Sequence, residues 1–203
     1  NVFTRATGGM LSDLVAVRWG MRGRLWCLWI IQTLGGVFCI AMGLAYKSLA
    51  GTLACMLVFS IFCQQACGAH FGIAPFVSRR AYGIVSGMVG AGGNVGAAIT
   101  QAIFFQGSRT SPDITNQDGM MWMGVMTIGM TMSLFFLWWP MWGSMLTKGN
   151  EDYAEEDYYL KEWTAEEVAQ GLHCGAMKFA MESRSQRGYR ANAGAAANLN
   201  VPP

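Results

Sequence analysis

The chain has 203 residues, 53% of them apolar and only 13% charged, and a formal net charge of +2. A soluble domain carries roughly 25% charged residues, so a water-soluble globular protein is excluded, and so small a net charge gives no reason to expect a nucleic-acid partner. The charges are also segregated: residues 1–147 hold eight basic and three acidic side chains, and residues 148–203 hold six and nine.

Four long runs carry no charge: residues 25–46, 48–78 (with His70 neutral), 81–108 and 119–147. Each exceeds the roughly 20 residues that cross a bilayer as a helix. They predict an all-α membrane domain over 1–147, with a partial helix at 1–11 and spans near 25–45, 53–76, 83–106 and 120–143. A tail over 148–203 follows. The first residue is Asn1 and the chain opens inside a helical pattern, which reads as the C-terminal portion of a larger membrane protein.

In the partial helix, Arg5 shares a face with Asn1 and lies beside Gly9. If the helix leaves the membrane near Leu11 or Ser12, Arg5 sits about 9–10 Å inside the exit. One reading is a long side chain snorkelling to the headgroups. The other is an intramembrane cation facing a cavity, whose planar fork suits bidentate contact with an oxyanion. The stretch from Gly9 to Arg24 reads as a loop, with Asp13, Arg22 and Arg24 either a solvated cluster or a gate.

The second span ends at Pro75, where a helix can stop at little cost. His70, two turns earlier, is read as a polar packing residue or, more sharply, a proton relay. Six cysteines are present. Five lie in spans without metal-ligand spacing, so buried thiols are expected and no disulfide framework.

The third span carries six glycines within residues 83–96 and one polar residue, Asn94. Each interior Gly costs a water-soluble helix about 0.5–1 kcal/mol relative to Ala. In a membrane, small residues instead let neighbouring helices come close. Gly83, Gly87 and Gly90 align with Asn94, while Gly92 and Gly96 form a second row. No Gly-Lys-Ser/Thr follows, so this is not a phosphate-binding loop. The fourth span is rich in Met, and its tryptophans gather at one end like an interfacial belt. Lipid-facing packing explains the methionines more simply than a thioether metal site.

The tail opens with an acidic, tyrosine-bearing run. Thr164 and Glu167 fit a capping box at the start of a short helix. Ser183 and Ser185 beside arginines are phosphorylation candidates on a short, unspecific match, and residues 191–203 have the composition of a disordered end. Arg18, Arg22 and Arg24 precede the first full span, and Arg79 with Arg80 lies between the second and third. The positive-inside rule puts these loops and the tail in the cytoplasm.

Several segments together resemble the nitrate/nitrite porter family of the major facilitator superfamily, in its eukaryotic high-affinity branch. They are Asn1-VFTRATGG, Phe76-VSRR, Gly83-IVSGMVGAGGNVGAAITQ and Tyr158-YLKEWTAEE with the later KFAMESRSQRG. The resemblance implies the C-terminal half of a twelve-helix fold: the end of helix 8, helices 9–12 and a cytoplasmic tail. It implies nitrate (or nitrite) transport by alternating access, coupled to protons, in the plasma membrane, with no cofactor and no enzyme chemistry. Arg5 falls on the family's nitrate-contacting arginine, and the glycine-rich span, with Gly90, Gly92, Gly93 and Asn94, lines the substrate path. Asp13 with Arg22 and Arg24 resembles the superfamily's cytoplasmic loop motif, interrupted by extra residues. The implied partners are the anion, protons, the lipid bilayer, the N-terminal half of the same transporter and a small single-span accessory protein. No carboxylate lies in a full span, so proton coupling falls to His70, the substrate site or the other half. The rival reading is an anion-sensing receptor that signals through the tail.

Overall fold

The computed structural model describes residues 2–106, 115–150 and 152–183. Among these residues the regular elements are all helical, and residues 137–154 connect them without a helix. Four helical segments are long and apolar enough to cross a membrane: Phe3–Leu44, Leu49–Phe76, Tyr82–Phe105 and Asn116–Phe136.

The first helix, α1 (Val2–Leu44), is two arms meeting at Gly20, whose φ of 66° and ψ of −150° are not helical. Asp13 and Arg24 would stand about 16 Å apart along one continuous helix, yet their side chains pair at 2.6 Å. A Cβ on Gly23 would sit 2.9 Å from the carbonyl of Val15. The chain therefore folds back at Gly20 into antiparallel arms, residues 2–19 and 21–44. The stretch from Gly9 to Arg24 is accordingly helical on both sides of one reversal, not a loop. A single glycine suffices because that conformation is essentially closed to side-chain-bearing residues.

Ser48 caps α2 (Leu49–Ile73), its Oγ accepting from the Gly51 amide at 3.3 Å. Pro75 then sits in a 3₁₀ turn, Ala74–Phe76. The first arm lies parallel to α2, since an added Cβ on Gly8 would meet Gln65, on Gly9 Gly68, and on Gly72 Ser12. The second arm runs back along α2, stacking Phe38 on Phe62 at 5.8 Å. A capping box of Thr115 and Asp118 starts α4 (Asn116–Thr131). That helix packs antiparallel to the second arm, Gly124 against Gly36 and Gln117 against Gly43.

Between them in sequence, α3 (Tyr82–Thr100) continues as a π turn, Gln101–Gln106. It buries no residue. A Cβ added at Gly83, Gly87, Gly90, Gly92, Gly93 or Gly96 would meet nothing within 4 Å. Close glycine packing exists in this fold, but at Gly8, Gly36, Gly43, Gly68 and Gly124, outside the run that announces it.

The last crossing segment stops at Phe136, after a 3₁₀ turn from Met132, and Leu137 is extended. Pro140 explains the stop, because a proline ring in a continuing helix would strike the carbonyl of residue 136. The expected span to 143 is therefore shortened. Trp139 and Trp142, read from sequence as belt residues, are 3% and 7% exposed. They join a core with Met21, Leu25 and Phe76 that reaches into the tail at Tyr159 and Ala180. Of these three tryptophans Trp138, at 57%, is the open one. The tail forms three short helices, α5 (Glu155–Leu160), α6 (Ala165–Ala169) and α7 (Cys174–Ser183). The Thr164–Glu167 capping box is present at the start of α6.

Candidate functional site

Arg5 is anchored through its backbone. Its carbonyl oxygen would lie 2.0 Å from a Cβ on Gly68, so only glycine lets the first arm come this close to α2. Thr7 and Gln65 join the same seam at 3.5 Å. The Arg5 side chain itself is exposed and makes no ion pair among the described residues. It lies eight residues before Asp13, about 12 Å deeper along the arm. A lone guanidinium at that depth is costly unless it faces a cavity or an anion. Its partners on this face are absent among the described residues, while its fork is free.

Asn94, Gly90, Gly92 and Gly93 lie on α3, all exposed. No hydrogen bond joins Asn94 to Arg5. The structure therefore places the two halves of the expected anion site on separate elements, and the glycine face closes against no wall among the described residues. Thr100, which also extends the polar content of α3, donates back to Gly96 and Ala97 of its own helix at 2.9 Å.

The expected gate residues divide into two contacts. Arg24 is buried, with a side-chain exposure of 7%, and pairs with Asp13 at 2.6 Å. It also donates to Ser12 Oγ at 3.2 Å and lies over the Phe76 ring at 5.4 Å. This cluster pins the arms to each other and to the end of α2, a buried charge held by partners on three sides. Arg22 points elsewhere, donating from Nε to the Met145 carbonyl at 2.7 Å and from Nη2 to Leu146 at 3.3 Å. Trp26 donates to that Met145 carbonyl as well. The loop after α4 is thus fastened to the reversal.

The tail docks on the loop between α2 and α3. Glu162 accepts from the backbone amides of Arg79 and Arg80 at 3.2 and 3.0 Å. Arg80 also pairs with Glu167 at 2.5 Å and lies over Trp163 at 5.3 Å. Arg79 stacks on Phe179 of α7 at 4.1 Å. Tyr158 donates to the Val77 carbonyl, and Tyr159 and Trp139 both donate to that of Phe76. The Thr164 amide holds the Glu167 carboxyl below its ordinary value, helped by the Thr164 hydroxyl and Arg80. Burial pushes the Tyr159 hydroxyl far up, reinforced by Tyr158 and Glu162. The sequence reads as a cytoplasmic tail with a short capped helix, and names no docking partner for it. The signal was the opposite net charge of the two regions, but charge sign alone names no partner.

Ser183 corrects a further expectation. It is 3% exposed, and its hydroxyl donates to Ala180 at 3.0 Å, so it is closed to a kinase while α7 is docked. Ser185 and the 191–203 stretch lie outside the described residues. His70 donates from Nδ1 to the Ala66 carbonyl at 2.9 Å within its own helix. All six cysteines are free thiols, and among the described residues no three His, Cys, Asp or Glu side chains gather as metal ligands.

No protein-family model matches the chain, and no solved structure matches it. Curated proteins do. Nitrate transporter 2.1 of Chlamydomonas reinhardtii is 68% identical over 193 residues, 94% of this chain and 35% of that protein. High affinity nitrate transporter 2.5 of Arabidopsis thaliana is 50% identical over 189 residues, 93% of this chain and 37% of its own length. The nitrate/nitrite transporter NrtP of Picosynechococcus sp. is 39% identical over 106 residues, 48% of this chain and 17% of that protein. The chain spans about a third of the length of the first curated relatives it matches.

Proposed function

The chain belongs to the high-affinity nitrate transporter family, a multi-pass membrane protein, and from that premise we propose that it is the C-terminal part of a transporter moving nitrate, or nitrite, by alternating access. The observation that carries the reading is Arg5: a guanidinium without an ion pair among the described residues, its backbone fixed by glycine packing, two turns before Asp13 along the arm. A planar monoanion offers two oxygens to one planar fork. In the complete protein the remaining two thirds of the relatives' length supplies the opposite wall. The exposed glycine face of α3, with Asn94, Gly90, Gly92 and Gly93, turns toward it, and two halves rock about the site. The Asp13–Arg24 pair holds the reversal end closed in one of the two states, and Arg22 ties it to the loop after α4. The Arg-rich reversal, the Arg79–Arg80 loop and the docked tail face the cytoplasm of a plasma-membrane protein. Protons drive the flux through His70, the substrate site or residues beyond this chain, and a small single-span protein assists. A receptor reading has no observation in its favour, since the matched relatives are named as transporters.

Arg5→Lys in the full-length protein tests this. It keeps the charge and loses the fork. Hydrogen bonds to charged groups are worth about 1.5–3 kcal/mol, so the apparent affinity for labelled nitrate should weaken about 10- to 100-fold while the protein still reaches the membrane. Unchanged affinity would remove Arg5 as the anion contact. Binding without accumulation would replace the transporter by a receptor.

A further inference from the structure

A groove of about 530 Å³ runs between the two arms of α1. Leu11, Val15 and Trp19 line it from the first arm, and Arg22, Trp26 and Ile30 from the second. No residue of α2, α3 or α4 contributes, so its long side is open. Toward the Gly20 reversal the lining of the first arm passes over about 12 Å from Leu11 and Val15 to the aromatic Trp19, and that of the second from Ile30 through Trp26 to the cationic Arg22.

Arg22 lines that mouth, and a second positive charge, Arg18, lies beside its Trp19 wall. Arg22 spends two of its nitrogens on the carbonyls of Met145 and Leu146, which leaves its charge intact. Arg18 is exposed, and its guanidinium lies 5.9 Å from the Trp19 ring. Neither pairs with a carboxylate among the described residues. The nearest acidic group in sequence, Asp13, is committed to Arg24.

We infer that this groove binds an anionic glycerophospholipid, with an acyl chain along the arms and the phosphate between Arg18 and Arg22. The groove runs about 12 Å, within the depth of one leaflet, and ends at Arg22 where a headgroup would lie, which favours a lipid over a transmembrane helix as its occupant. Trp19 and Trp26 flank the transition, as amphipathic rings do at the headgroup level.

The experiment reconstitutes the full-length transporter in phosphatidylcholine vesicles and titrates in brominated phosphatidylglycerol or brominated phosphatidylcholine. The signal is the quenching of tryptophan fluorescence that is lost in a Trp19→Phe/Trp26→Phe variant. That component should be quenched by the anionic lipid at a mole fraction at least several-fold below that for the zwitterionic one. Arg18→Gln should cut the preference about fivefold, in line with the worth of one basic residue at a charged membrane surface. Arg22→Gln should do the same, but it also unfastens the loop after α4. Arg18→Gln, with no hydrogen bond to lose among the described residues, is therefore the decisive variant. Equal curves for the two lipids overturn the inference, as does a preference untouched by Arg18→Gln. No quenching of that component by either lipid means that protein covers the groove, which overturns it too.

Discussion

Gly68→Ala and Gly90→Ala are the same chemical change in two helices, and the structure sets their effects apart. Ala is the better helix former by about 0.5–1 kcal/mol, so each variant begins with a small gain. At Gly68 the new methyl would sit 2.0 Å from the Arg5 carbonyl oxygen and 3.1 Å from the Gly9 amide. Both are backbone atoms, which no rotamer change can move. Reaching even a 3.0 Å contact needs about 1 Å of separation between the first arm and α2. Overpacking of this kind costs about 1–3 kcal/mol, and here it is spread along a whole helix–helix seam, so the clash outweighs the propensity gain. At Gly90 the methyl meets nothing within 4 Å among the described residues, so within this chain the gain stands alone. The full-length protein, tagged with a fluorescent protein and heated before size-exclusion chromatography, should lose several degrees in midpoint for Gly68→Ala and none for Gly90→Ala. Nitrate uptake by Gly90→Ala should nonetheless fall, if its glycine face meets the rest of the transporter. A Gly68→Ala midpoint at or above that of the parent would refute the packing argument, because it would mean the 2.0 Å approach does not exist.

Gly20→Ala should cost about 1–3 kcal/mol, the strain of holding a side-chain-bearing residue at φ 66°, ψ −150°. It should lower the same midpoint, whereas a substitution at exposed Val17 should not. Docking of the tail should depend on pH at both ends. Glu167 titrates below its ordinary 4.5 when docked. Its contribution is therefore complete above that value and lost as pH falls through the lower docked value. Tyr159 is shifted upward, so its contribution is complete below pH 10, its ordinary value, and lost as pH rises beyond it. Hydrogen-exchange protection factors of α6 and α7, with the intrinsic pH dependence of amide exchange divided out, should be flat between pH 5.5 and 9 and fall outside that window. A steady change within the window would mean another group governs docking.

The membrane-crossing segments were legible because length without charge is a property of consecutive residues. What remained hidden depends on residues distant in sequence. The stretch around Gly20 has loop composition, yet two of its arginines hold a reversal together: Arg24 turns inward to Asp13 and Phe76, and Arg22 to the Met145 carbonyl. The Gly run in α3 promised close approach, but the glycines that meet a neighbour include isolated ones such as Gly43 and Gly124, each needed by a single crossing point. One Gly in an apolar helix carries no signal of that kind. The tryptophans of residues 138–142 read as a belt because composition cannot show that Pro140 turns two of them into the core. Arg5 was legible as an expensive cation, and its Gly68 anchor was not.

The docked tail and the unpartnered α3 bear on each other. With no buried residue of its own, α3 is oriented among the described residues chiefly by its two ends. Its N-terminal end follows the Arg79–Arg80 loop, which Glu162, Glu167, Trp163 and Phe179 hold from the tail. The tail therefore sets the direction in which the glycine face leaves the bundle. Arg80→Gln removes the ion pair and the cation over Trp163 but leaves the amide contacts to Glu162, so it should loosen the loop without freeing it. Spin labels at Val89 of α3 and Leu57 of α2, in full-length protein whose native cysteines are replaced, should then give a broader distance distribution. The distance between Leu57 and Val37 of the second arm should stay sharp. If both distributions stay as narrow as in the parent, α3 is held by something other than the tail, and the tail is no part of what orients the glycine face.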